Sequence, residues 1–480
     1  MVCVTCDSPT VQLSMMRILG ADLDSKEPCL HICRDKPGPP IYFVHDICHA
    51  IKLVRNAWEF RKTLKNAKGE LIKWQYVVEL YNVQCSEGLK SGNKLTHTHI
   101  YFHNNKMKVK YAVQLLSRSV ALSLRFCRED LKLPQFQGSE ATEEFILYMN
   151  NIFDVFNSRC LFSKGSSNLY TNAMSVDNQN IWLPIMEETK TYLSGLTNLK
   201  GDSLLRSDAR KTGFLGIFCN IQAVQKIFSD NVVNGNLSYL CTFKLSQDPL
   251  EHFFGMVRAR FGRNNNPTPY QFKGMFRRIL CGATDQIIKD SNVSLQDDTE
   301  MVAVIPNAEN KIDFIYAHYD FDDIDIENLR TSNLDSFSDN VVEYMSGYVV
   351  KRICEKLTCE DCKKSLKGDP RQGGLISTRQ FDSARQGLVF PSRFIFKAFC
   401  IAESVLRCEL EKDWLGKKYF FDYVNIKICN SFVSIHSIIM KKMDNHCYDL
   451  LKEQHDESSF FSLSLSHSLY LSSLSYSLSL

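Results

Sequence analysis

The chain has 480 residues, 44% hydrophobic, 11% aromatic and 23% charged, with a net charge of only +3. That is an ordinary globular balance with room for roughly two to four domains, and it excludes nucleic-acid binding by bulk charge alone. No stretch reaches the roughly 20 apolar residues that a membrane span needs. Eighteen cysteines are present without a secretory signal or regular spacing, and several (Cys3, Cys6, Cys219, Cys281) sit in apolar runs. There a reduced cysteine behaves as a small hydrophobe, so a reducing nuclear or cytosolic compartment is expected.

Val2 to Cys6 reads as a short strand that delivers Asp7 at its carboxyl end, where open α/β sheets usually meet their ligands. A turn or N-cap aspartate is the other reading. Gln12 to Leu19 follows as a helix stopped by Gly20. Ile41 to Asp46 is a second strand, leading into a helix from Cys48 with Ile51, Val54 and Trp58 on one side. A Cys48/His49 metal pair is conceivable, but no further ligands stand at zinc spacing.

After Trp74 the strand–helix alternation stops, and residues 76–240 read as helices. Val109 to Leu124 is expected as one helix and Phe145 to Arg159 as another. No GxxxxGK[ST] phosphate loop occurs. The run LSQDPLEHFFGMVRARFGRNNNP starts at Leu245 and predicts a helix capped by Ser246 or Asp248, with Pro249 and Glu251 in its first turn. Leu250, Phe254, Val257 and Phe261 make an apolar stripe expected to pack on a core. Asp248 and Glu251 share one face, either as acids at a positive helix end or as functional carboxylates. Arg258, Arg260, Arg263, Lys273, Arg277 and Arg278 form one basic cluster, which suits DNA or a solvated helix face.

Residues 291–340 read as an acidic linker, with Asp320, Asp322, Asp323 and Asp325 clustered. Residues 341–457 read as a helical C-terminal region with one CxxC, Cys359 and Cys362, which is half of a zinc site or simply two reduced cysteines. The Ser/Leu-rich tail 458–480 is low complexity and is set aside from function.

The stretch from Leu245 to Leu280 closely resembles the signature of P-element-type DNA transposases, including their THAP-domain-bearing host relatives. Cys6-Asp7 resembles that family's Cys-Asp-Gly, with Ser8 for the glycine. Asp46 to His49 and Lys52 to Asn56 resemble its Asp-Pro-x-His and Lys-Leu-x-Arg-Asn motifs. Val341 to Val350 matches a later segment. The resemblance implies an α/β ribonuclease-H-like fold with an incomplete core, built from residues 1–75 and 241–290. A large all-α GTP-binding insertion at 76–240 would interrupt it, and a mostly helical C-terminal region would follow.

By the same resemblance Asp7 and Glu251 are catalytic carboxylates that hold Mg2+ or Mn2+. Phe153, Asp154 and Asn157 match a guanine-contacting Phe-Asp-x-x-Asn motif. Aspartate suits guanine because it accepts from both N1–H and the exocyclic amine, and phenylalanine can stack on the base. Lys108, Val109 and Ser117, in the run from Lys106 to Ser117, join the nucleotide site, as do Lys94 and Asp248. DNA is the implied partner, in the nucleus, with no membrane and with a homo-oligomer when complete. The family also places a zinc-coordinating THAP module and a first catalytic aspartate before the position of Val2. Their absence here leads to the expectation of a truncated or domesticated copy, inactive by itself as a transposase. The alternative is a non-catalytic host protein that binds GTP together with DNA or a protein partner.

Overall fold

The computed structural model describes residues 2–7, 10–23, 25, 30–32, 40–161, 168–235, 237–259, 268–280, 336–355, 357, 360–380 and 387–410. These fall into two units. The first runs to residue 280 and includes 370–380 and 387–389; the second holds 336–369 and 390–410. Arg260, Arg263 and Phe261, the acidic segment 291–335, Cys359 and the Ser/Leu tail lie outside the described residues.

The first unit starts with a three-stranded sheet in the order β1-β3-β2, from Cys3–Cys6 (β1), His31–Ile32 (β2) and Ile41–His45 (β3). β1 runs parallel to β3 with Cys6 opposite His45, and β2 is antiparallel to β3. Parallel pairing puts both carboxyl ends at one edge. The residues that follow the last register pair are therefore Asp7 and Asp46. Between the strands lies α1 (Thr10–Ile18), closed by Gly20 at φ +102°, a conformation that glycine adopts without steric cost.

α2 (Ile47–Arg61) follows β3 at once, with Ile51, Val54 and Trp58 at 1%, 0% and 0% exposure, as the apolar stripe requires. Lys52 and Arg55 of the same helix are also buried, which an amphipathic pattern does not announce. A small antiparallel sheet, β5-β4-β6, joins Thr63–Lys65 (β4), Leu71–Lys73 (β5) and the later Thr197–Asn198 (β6).

Helices then dominate: α3 (Gln75–Glu87), α4 (His97–Ile100), α5 (Val109–Leu115), α6 (Arg118–Glu129), α7 (Glu140–Phe156), α8 (Gln179–Ser194) and α9 (Thr212–Phe228). The helix expected over Val109 to Leu124 is two helices, not one. Leu116 leaves helical geometry and Ser117 is extended at φ −100°, ψ 151°, capping α6. The Ser117 hydroxyl donates to the Gln114 carbonyl at 2.8 Å and so competes for the backbone that a continuous helix would use.

The core gathers around Trp58, which meets Trp74 and Phe145 edge-on at 5.0 and 5.1 Å. α9 packs on α2 closely enough that Gly213 has no room for a Cβ. Asn220 of α9 also exchanges hydrogen bonds of 2.7 Å with the backbone of His45 in β3. Thus α9, although within 76–240, packs directly on the first sheet.

The chain returns to that sheet at Leu245 and Gln247 and continues as α10 (Asp248–Ala259) and α11 (Pro269–Leu280). The expected stripe on α10 is only partly buried: Val257 is 0% exposed, but Leu250 is 51% and Phe254 39%. Instead of entering a central core, the rings of Phe253 and Phe254 pack across the two helices on Phe272 and Phe276 at 6.0–6.3 Å. A helical period specifies a face but not what covers it.

In the second unit α12 (Ser336–Cys354) packs on α15 (Arg393–Leu410), burying Val341, Val342, Val349 and Val350 with Ala398, Phe399 and Ala402. α13 (Glu360–Leu366) lies between them in sequence. α14 (Gly374–Arg379) belongs to the first unit, where Asp130 accepts from the Gly374 N–H at 3.0 Å and the Thr378 hydroxyl at 2.8 Å. No described helix is long and apolar enough to cross a membrane.

Candidate functional site

The segment before α10 docks on the carboxyl edge of the parallel pair. The Thr5 hydroxyl donates to the Leu245 carbonyl at 2.9 Å, and the Gln247 side chain donates to the Thr5 carbonyl at 3.4 Å. The Gln247 N–H donates to Asp46 Oδ1 at 3.2 Å. Asp46 is also the N-cap of α2, its Oδ2 accepting from the His49 N–H at 2.9 Å.

Asp248, the first residue of α10, is thereby brought beside Asp46 and Cys48. The ligand atoms of these three side chains all lie within 4.8 Å of one another, and all three residues are buried. Such a group could hold a metal ion. Asp7 stands at the adjoining strand end, with Oδ1 3.8 Å from His49 Nδ1; that oxygen is buried and has no hydrogen-bond partner among the described residues. Glu251 is half-buried, one turn beyond Asp248 on α10.

The electrostatics follow from taking acids out of water. Burial raises Asp46 to about 6 against the pull of two backbone N–H groups, and the charges of Asp248 and Asp7 push the same way. Burial also raises Asp248, opposed by the Cys48 thiol and by the charges of Arg159, His252 and Lys52. The Cys48 thiol is itself driven up, first by burial and then by the two aspartates. His49 is lowered by burial and by Lys52, with Asp7 working against them.

The proposed nucleotide residues lie mostly on α7 and around α5. Phe153 is buried at 7% exposure. Asp154 Oδ2 accepts from Asn150 Nδ2 at 2.9 Å and from Asn168 Nδ2 at 2.7 Å, and burial raises its pKa to about 6 against those two bonds. Asn157 is the C-cap of the same helix. Lys94 and Lys108 are exposed; Lys108 caps α5, with Nζ 5.8 Å over the Tyr111 ring, and Val109 is the first residue of that helix.

Asp248 sits in the acid group described above. The end of α7 is nevertheless tied to the segment that leads to it. Ser158 and Thr242 exchange hydrogen bonds of 3.2 Å, and the Thr242 hydroxyl donates to the Val155 carbonyl at 2.5 Å. A cleft of about 600 Å³ is lined by Arg118, Asn151, Asn168, Tyr170, Thr378 and Gln380, within the usual size of small-molecule sites.

Sequence reasoning does not single out Asn150, Asn168 or Gln247. Their roles depend on partners four to 201 residues away, and polar residues in loops or helices give no such signal by themselves. Spacing along the chain pairs Cys48 only with His49, whereas its neighbour in space is Asp248.

Three family models match separate stretches: the TNP-like GTP-binding insertion domain at residues 48–169, the TNP-like RNase H C-terminal domain at 243–277, and the C-terminal domain of DNA transposase THAP9 at 333–464. The human protein "DNA transposase THAP9" is 27% identical over 420 residues, covering 84% of this chain and 45% of that relative. The Drosophila melanogaster "Transposable element P transposase" is 28% identical over 348 residues, covering 70% of this chain and 44% of its own length. The chain thus spans less than half the length of either relative. Among solved structures it is similar to the "Drosophila P element transposase strand transfer complex", with a TM-score of 0.49 and 27% identity over 58% of this chain and 60% of that one. The matches to the insertion, the nuclease-core and the C-terminal models and to both curated relatives together support a P-element-type DNA transposase family for this chain.

Proposed function

We propose that this chain carries the nuclease-core and guanine-nucleotide-binding parts of a P-element-type transposase, acting on DNA in the nucleus by metal-assisted phosphoryl transfer. One observation carries the reading: the Leu245–Asp248 segment returns to the carboxyl edge of β1 and β3, where Asp7 and Asp46 end their strands. Asp7 and Glu251 would hold a divalent cation of the Mg2+ class. The buried Asp7 Oδ1, which accepts no hydrogen bond from the described residues, and the hard oxygen donors fit such an ion. When bound, the ion supplies charge stabilisation at a phosphoryl oxygen and lowers the pKa of water. The chain's own contribution is to fix these carboxylates on a strand end and a helix, with Asp46 and Gln247 bracing the two together.

In the insertion, Asp154 would accept from the guanine edge, taking the place that Asn150 and Asn168 occupy. Phe153 and Asn157 would flank the base, and Lys94, Lys108, Val109 and Ser117 would meet the phosphates and ribose. Lysine suits phosphate as a mobile point charge.

Mn2+ is the probe for the metal half. Electron paramagnetic resonance titration of the 480-residue chain should show bound Mn2+ that Mg2+ displaces, weakened at least tenfold in Asp7→Asn and in Glu251→Gln. Unchanged Mn2+ affinity in both variants would remove these residues from the metal site. DNA strand cleavage at transposon ends by longer chains that include this sequence, abolished by Glu251→Gln, tests the activity itself.

A further inference from the structure

We propose that Arg55 is a positioning residue for the nucleotide's phosphates, acting through Lys108 by fixing the turn from Phe102 to Lys106 on α2. The proposal rests on the reading of Lys108 as a phosphate contact. Arg55 lies on α2 with 0% exposure. Its guanidinium carbon stands 3.9 Å over the Phe102 ring, and its Nη2 donates to the Lys106 carbonyl at 2.9 Å. Nε and Nη2 also donate to Asn56 Oδ1 at 3.1 and 2.9 Å, which fixes the plane of the fork. One side chain thus holds both ends of the turn. Local bonds carry that hold onward. The Asn105 N–H donates to the Phe102 carbonyl at 2.7 Å, and the Lys108 N–H donates to the Asn105 carbonyl at 3.1 Å.

A buried guanidinium is a poor way to gain stability alone. Among the described residues Arg55 forms no ion pair, and its Nη1 has no hydrogen-bond partner. Glu59, one turn along α2, acts on it only through its charge and is itself paired with Lys62 at 2.6 Å. Burial lowers the Arg55 pKa to about 10 against that charge, so the group stays ionised at neutral pH. An apolar side chain would fill the same space at lower cost. What the charged fork adds is a fixed grip on a backbone carbonyl 51 residues away.

The turn it grips leads into a cationic surface. From Gly88 to Arg128 the sequence holds no aspartate or glutamate. Lys108 is exposed and forms no ion pair among the described residues. A lysine on a flexible stem binds phosphate well only when its backbone is already in place, because ordering a mobile segment costs affinity. Asp46 caps the start of the same helix, so α2 serves as the common reference for the strand-end acids and for Lys108.

The test is a double-mutant cycle on the full 480-residue chain, read by calorimetry with GTP and with guanosine. Arg55→Met keeps an unbranched apolar stem and removes the donors. It should weaken GTP about tenfold and leave guanosine within about twofold, because guanosine has no phosphate for Lys108 to meet. In the Lys108→Ala background the same change should cost less than about twofold, since nothing is left to position. Equal losses in the two backgrounds would make the effect one of general structure or charge, and no GTP loss would remove Arg55 from the site. Either result overturns the proposal. If Lys108→Ala itself leaves GTP affinity unchanged, the phosphate reading fails and the proposal falls with it. A GTP loss in Lys108→Ala without one in Arg55→Met sinks the proposal alone. If circular dichroism shows that Arg55→Met does not fold, Asn56→Ala, which removes the acceptor that orients the fork, takes its place in the cycle under the same criteria.

Discussion

The Gln247 N–H donates to Asp46 Oδ1 at 3.2 Å, joining two points 201 residues apart in the chain. That bond, with Thr5 to Leu245, fixes where α10 begins relative to the strand ends. The acid group is therefore a property of the docked segment.

Asp46 makes stability pH-dependent in a defined direction. Its folded-state pKa, about 6, lies above the ordinary 3.8. The folded state therefore binds the proton more tightly, and the contribution is fully present below about pH 4 and is lost as pH rises through 6. A shift of about two units corresponds to up to about 3 kcal/mol. Asp154, also raised to about 6, adds in the same sense. Buried His45 and His99, lowered to about 3 and about 4, act in the opposite sense, so the test is a difference: the urea midpoint of the metal-free wild type relative to that of Asp154→Asn should fall as pH rises from 4.5 to 7. A difference between the two midpoints that stays constant or rises over this range would refute the assignment.

Guanine selectivity rests on Asp154. GTP should bind more tightly than ATP by at least tenfold, because adenine has no N1–H and would leave a buried carboxylate unpaired. Asp154→Ala should erase the difference, and Lys108→Ala should weaken GTP more than guanosine. Calorimetry on the whole chain reads all of these, and equal affinities for GTP and ATP would return Asp154 to a structural role with Asn150 and Asn168.

Gly213 is required by close helix packing and not by its backbone conformation. A Cβ there would lie 2.8 Å from the Ala50 carbonyl oxygen, the Leu53 Cβ and the Val54 nitrogen, two of them backbone atoms that cannot swing away. Gly213→Ala should cost about 1–3 kcal/mol or more by forcing α9 off α2, although alanine is the better helix former. Gly274 is the control, because a Cβ added there would meet nothing within 4 Å. Gly274→Ala should be neutral or stabilising in the same thermal melt.

Asp130 holds α14 by two hydrogen bonds. Asp130→Ala should leave the Gly374 N–H and the Thr378 hydroxyl without that acceptor, at about 1–2 kcal/mol locally. Hydrogen exchange should speed up across Gly374–Arg379 while α7 stays protected. Equal acceleration in both would mean that the contact supports the whole unit and not one segment.

Local pattern alone was enough for several features. The period of Ile51, Val54 and Trp58 specified the buried face of α2, and Gly20 specified the end of α1. The runs at Asp7, Asp46 and Asp248 to Glu251 identified the family, because motif identity is carried by residues near one another in sequence. Tertiary structure decided the rest. Parallel pairing of Cys6 with His45 put Asp7 and Asp46 at one edge, and the return of residues 245–248 added Asp248 beside Cys48. It also left Leu250 and Phe254 half in solvent, with Phe254 against Phe272. The reason is common to all of these. Periodicity and capping are set within one or two turns of chain, whereas burial, pairing and charge compensation depend on which distant surface arrives, and the sequence of one segment does not encode that.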